Sequence, residues 1–246
     1  MIQIWAIYLR SMLILKKRWK RVLAGMVISP LLYTVAFGWG LGTDVRMEEI
    51  DYFHFLLPGL IAIAGMNAGF SIGVEINIIR FINRFFEEYL LSPATSLQIV
   101  TGHVLFGITK GLVSFMIILF IGFLCGTNNL ISPFIILPVL LNLFLFSSLG
   151  IFVALNIKTH RDMGSFNSFI IMPMSFLAGT FFSLKKLPYV LELFARIIPL
   201  THASLSIRRM FLGSPADYTS LFILAGYGLL FYLLAVFSVK KTVDCR

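Results

Sequence analysis

The chain has 246 residues, of which 59% are hydrophobic and only 13% charged, at a mean hydropathy of +0.93. A soluble domain carries about a quarter charged residues, so this composition excludes one. A membrane β-barrel is excluded too, because its strands alternate apolar and polar over about ten residues, whereas apolar runs of about 18 or more recur here. The formal net charge of +9 is uneven. Arg10, Lys16, Lys17, Arg18, Lys20 and Arg21 cluster directly before the first long apolar run, which reads as a juxtamembrane basic patch on anionic lipid rather than a nucleic-acid surface.

In chain order, residues 1–21 are predicted as a helix in the membrane interface: Ile4, Ile7, Tyr8, Ser11, Leu15 and Trp19 follow a helical stripe. The charges follow the apolar stretch, the wrong order for a secretory signal peptide. Six spans are expected near 22–41 (Pro30 a kink point), 53–76 (Pro58 toward its start), 99–125, 132–156, 163–182 and 217–239. With the N-terminus inside, most Lys and Arg fall on the inner side, so both termini are predicted to be cytoplasmic. The inner loop 77–97 carries a short helix marked by Arg80, Arg84, Glu87 and Glu88 and ended by Ser92-Pro93. The segment 183–215 is apolar but interrupted by Pro188, Glu192, Arg196, Pro199, Arg208 and Arg209. It is predicted as an outer re-entrant hairpin rather than a seventh span, since broken backbone at membrane depth needs cover from protein or water. The fold class is thus an all-α polytopic membrane protein of one domain, 1–246.

Gly65, Gly69 and Gly73 stand four apart in GMNAGFSIG, a spacing that lets helices approach closely, within or between subunits. Glu75 and Lys110 are read as structural charges near span ends rather than as an ion relay. Cys125 and Cys245 offer no disulfide framework. The search for chemistry fails: His54, His103, His160 and His202 are isolated, with no HExxH and no zinc spacing. Glu87-Glu88 lacks the following arginine of intramembrane prenyl-endopeptidases, and GHVLFGIT has Ile108 where a P-loop needs lysine. Transport is the use left for such a chain.

Three passages, together with six spans, carry a resemblance. The basic helix before span one, the loop FFEEYLLSPATSLQIVTGHVL and the run FLAGTFFSLKKLPYVLELFARIIPLTHASLSIRRMFLG are similar to the connecting helix, the coupling passage and the signature of type 2 ABC exporter membrane subunits, specifically small bacterial permeases of the drug, polysaccharide and nodulation-factor type. His103 departs from the lysine many members carry there, and Lys185-Lys186 is more basic than usual. The resemblance implies that Arg84, Glu87, Glu88 and Tyr89 meet a separate ABC ATPase, which holds ATP and magnesium, while this chain carries no cofactor, metal or catalytic residue. It implies a partnership with a second copy or a homologous permease in the inner membrane. It implies a substrate path on spans one, two and five, with Tyr33, Phe37, Trp39, Asn67, Phe70, Phe166, Asn167, Phe169, Met172, Met174 and Phe176 as candidates. It also implies an outer gate of Gly179, Lys185, Lys186, Pro188, Pro199 and Arg208. Aromatic and methionine faces suit an amphipathic drug, lipid or glycan. An ion-coupled secondary transporter and a non-catalytic assembly factor are the competing readings.

Overall fold

The computed structural model describes residues 2–39, 46–47, 50–82, 93–125, 133–184 and 187–244. Helix α1 (Ile2–Tyr33) continues as a π-helical segment, Thr34–Trp39. Pro30, buried inside α1, can donate no backbone hydrogen bond, and the widened turns begin four residues later. Two short antiparallel strands, Arg46–Met47 and Ile50–Asp51, lead into α2 (Tyr52–Phe81). Then come α3 (Ser96–Leu124), a 3-10 turn Pro133–Ile135, α4 (Ile136–Asn156) and α5 (His160–Phe166). A π-helical segment, Asn167–Ile171, links α5 directly to α6 (Met172–Leu177). Helices α7 (Tyr189–Ile197), α8 (Pro199–Phe211) and α9 (Tyr218–Asp244) complete the chain.

Local chemistry places these ends. Thr95 and Gln98 form a reciprocal capping box at the start of α3, and Thr159 with Asp162 forms another at α5. Pro199 sits in the first turn of α8, where its missing N–H costs nothing. Four helical stretches are long and apolar enough to cross a membrane: Tyr52–Phe81, Ser96–Leu124, Pro133–Asn156 and Tyr218–Thr242. The pair α7 and α8 would make a fifth if it counts as one span, but it bends by 89°, the geometry of a broken span or of a re-entrant loop. The remaining expected spans are helical only in part: within 22–41 the described residues run α then π to Trp39, and the span expected at 163–182 runs α, π, α only as far as Leu177, after which the chain turns.

The predicted break near residue 21 is not a helix end, because α1 passes through it unbroken. The stripe also has a different partner from the one expected. Ile7 is buried in a cluster with Ile99, Val100 and Val104 of α3, and Tyr8, Met12 and Leu15 pack partly buried against it. A Cβ on Gly102 would lie 3.0 Å from Ile7 Cβ, so this stripe packs on protein while Trp5, Leu9 and Leu13 face outward.

Helix α2 is the most enclosed of the four, and α9 the least. Its glycines settle whether the close approach lies within one chain. A Cβ on Gly65 would meet Asn142 Nδ2 at 2.6 Å, one on Gly69 would meet Ser147 N at 3.0 Å, and one on Gly73 would run into Gly150 O. All three lie against α4 of the same chain, Gly65 on side chains and Gly69 and Gly73 on its backbone. Without a hydrophobic difference between lipid and side chain, such close packing and its polar contacts hold membrane helices together. Asn142 adds a bond of 3.0 Å from its amide to Ala62 O.

Candidate functional site

On α2 the neighbours of Asn67 are buried, yet Asn67 itself is exposed. An amide presented in the middle of an apolar span is costly against lipid and marks a polar surface. Two recesses meet there. One of about 240 Å³ lies among α1, α2 and α3, with Met26, Tyr33, Leu60 and Ile63 beside Ser29, Ser71 and Lys110. A larger one of about 790 Å³ lies between α2 and the run 160–171, lined by Phe70, Arg161, Ser165, Asn167, Ser168 and Phe169. Asn67 and Ser71 border both.

The structure therefore brings several sequence candidates together and spreads others. Tyr33 lines the smaller recess; Asn67, Phe70, Asn167 and Phe169 line the larger, Phe169 with 80% of its surface exposed. Phe166 stacks on Phe70 at 5.7 Å between ring centroids, which joins α5 to α2. Met172 and Phe176 are exposed farther along the same run, and Phe176 stacks on Phe181 at 5.4 Å; Met174 is partly buried against the core. Phe37 and Trp39 fall in the π-helical segment, and their side chains lie outside the described parts. Arg84, Glu87, Glu88, Tyr89, Lys185 and Lys186 lie outside the described residues altogether.

Lys110 and Glu75 are a pair. The Lys110 ammonium donates to Glu75 Oε1 at 2.6 Å and to Ser71 Oγ at 2.7 Å, closing one end of the smaller recess. Two lone charges on adjacent spans are the sequence signal for such a pair, but their separation of 35 positions hides it from any local pattern. Neutralising each other spares both the full cost of charge at membrane depth.

At the other end, residues 178–184 form a pinned turn. Gly179 has φ +67°, a left-handed backbone that glycine adopts without strain. Arg208 of α8 is buried and donates from Nη2 to Gly179 O at 3.0 Å and Thr180 O at 3.3 Å, and from Nε to Phe55 O at 3.2 Å. Its guanidinium also lies 3.7 Å from the centre of the Phe55 ring. Ser204 donates to Ala178 O at 2.9 Å and the Tyr52 hydroxyl to Phe181 O at 3.0 Å. Of the predicted gate residues, Arg208 and Gly179 thus meet at one joint. Pro188 and Pro199 stand apart from it as the residues that open α7 and α8. Among the described residues, no group of His, Cys, Asp and Glu gathers in numbers that could hold a metal ion.

Comparison with known proteins gives this arrangement its family. Residues 2–212 match the ABC-2 type transporter family. The chain is 30% identical over 212 residues to Nodulation protein J of Rhizobium meliloti (strain 1021), covering 83% of this chain and 81% of that protein. It is 28% identical over 205 residues to the inner membrane transport permease YadH of Escherichia coli (strain K12), covering 79% and 77%. The chain belongs to the ABC-2 type transporter family.

Proposed function

We propose that the chain is the membrane subunit of an ATP-driven exporter of the inner membrane, and that its substrate passes along the surface around Asn67. The observation that carries this reading is the exposed amide at the meeting of two recesses, with apolar residues on either side. Met26 and Tyr33 on α1 line the smaller recess, and Phe70 with the exposed Phe169 lines the larger one. One copy leaves this surface open, and a second copy of the permease covers it. Six spans with both termini inside, an interfacial start to α1 and a bent α7–α8 pair at the outer face complete the topology. Of the inner loop expected at 77–97, residues 77–81 belong to α2 and 96–97 to α3; the segment between them docks on a separate ABC ATPase through Arg84, Glu87, Glu88 and Tyr89. Gly179, Lys185, Lys186, Pro188, Pro199 and Arg208 make up the outer gate region, in which the Arg208–Gly179 joint is the fixed clamp on which the rest closes. Amide and hydroxyl groups beside aromatic rings suit an amphipathic substrate, a drug, lipid or glycan. The name of YadH, an inner membrane transport permease, supports the location and the class of activity.

The test is purification followed by transport in vesicles. A P-loop ATPase co-purifies, and Asn67→Leu lowers substrate transport at least about tenfold, the effect of losing one well-placed polar contact on a path, while the complex still assembles. Transport that continues without ATP and collapses with an ion gradient would replace this reading with a secondary transporter. The Lys110–Glu75 pair is the feature that would then serve it.

A further inference from the structure

The inner end of α2 is tied to the run that lines the larger recess. Arg80 Nη1 lies 3.1 Å from Ala154 O, 2.7 Å from Leu155 O and 3.2 Å from Ile157 O, at the C-terminal end of α4. The last carbonyls of a helix lack partners within it and carry partial negative charge, so a guanidinium there satisfies both needs. One turn earlier, Asn77 is fully buried and its Oδ1 accepts from His160 Nδ1 at 2.5 Å. His160 is the first residue of α5. Two contacts from one end of α2 therefore grip the α4–α5 turn on both sides of the Thr159 cap.

Three positions past Arg80 begins the segment 83–92, which lies outside the described residues. Its far flank is held as well: Gln3 Nε2 donates to Pro93 O at 3.1 Å, while Tyr8 and Thr109 share a hydrogen bond of 3.2 Å that ties the same stretch of α1 to α3. The described residues on either flank of that segment are thus fastened to elements that border the recesses, Pro93 to α1 and the end of α2 to the α4–α5 turn. That run contains the π-helical segment Asn167–Ile171, a widened turn of the kind that gathers at functional sites, and it carries Asn167 and Phe169 into the larger recess.

We propose that Arg80, with Asn77 and His160, is the positioning joint that passes a push on loop 83–92 to the 160–177 run and so to the substrate surface. This rests on the reading of that loop as the ATPase-docking element. Movement at the end of α2 cannot leave the α4–α5 turn behind while these bonds hold, so the lever arm is α2 and the moved part is α5 with its π-helical continuation.

The test uses the permease–ATPase complex in vesicles and reads substrate transported per ATP hydrolysed. Arg80→Ala and His160→Ala each lower that ratio about tenfold, the equivalent of one charge-assisted or buried hydrogen bond lost from a coupled path. ATP hydrolysis itself persists, and Arg80→Lys restores part of the ratio. The double variant falls no further than Arg80→Ala alone, because the contacts act as one unit. His160 has an exposed ring, so its variant keeps the test open if Arg80→Ala folds poorly. A purely structural role would lower the yield of complex and leave the ratio unchanged. A cysteine at position 87 (Glu87→Cys) is crosslinked to the ATPase in parallel. No crosslink overturns the docking reading and the joint with it; a crosslink with unchanged ratios in the Arg80 and His160 variants overturns the joint alone.

Discussion

Arg208→Ala separates a clamp from a gate. The side chain donates to three carbonyls on two elements, Phe55 O on α2 and Gly179 and Thr180 O in the turn, and lies 3.7 Å over the Phe55 ring. Hydrogen bonds to a charged group contribute about 1.5–3 kcal/mol each, and a desolvated cation–π contact about 2 kcal/mol. The contacts share one guanidinium and do not add, and truncation leaves carbonyls unsatisfied, so the loss is about 3–5 kcal/mol. For a chain of this size that lowers the unfolding midpoint by about 10 °C. Arg208→Lys recovers less than about half of it, since an ammonium lacks the planar fork that reaches both elements. The assay is thermal unfolding of the purified complex followed by tryptophan fluorescence, with transport measured on the same samples below the midpoint. A midpoint within about 1 °C of the parent, with transport alone abolished, would show that Arg208 belongs to a moving gate and that the clamp reasoning is wrong.

Gly73→Leu places a side chain on the Gly150 backbone and costs about 3 kcal/mol or more, read as lost folded yield and a lower midpoint; Gly25→Leu, where a Cβ meets nothing within 4 Å, leaves both near the parent. Lys110→Met strands the Glu75 carboxylate and costs about 2–4 kcal/mol in the same assay, while adding Glu75→Gln recovers most of that loss. If the double variant is no better than the single one, the two charges do not act as a pair.

The helices were legible in the sequence because a membrane segment must satisfy its backbone within itself, so its extent is written in local hydropathy. The caps at Thr95 and Thr159 are equally local, each a threonine with an acceptor side chain three positions on. The glycine spacing announced a close contact, yet only the packed structure shows that the contact is α4 of the same chain. The stripe on residues 4–15 was legible as apolar but not as a protein-facing surface, because hydropathy does not distinguish lipid from a neighbouring helix. The pairings that organise the candidate site join residues far apart: Arg208 with Phe55 across 153 positions, Asn77 with His160 across 83, Lys110 with Glu75 across 35. Composition and periodicity determined that this chain is a bundle of membrane helices, since those follow from the solvent each residue must face. Which buried polar groups meet was decided by the tertiary structure alone, because a hydrogen bond of about 3 Å depends on the rotation and height of two whole helices.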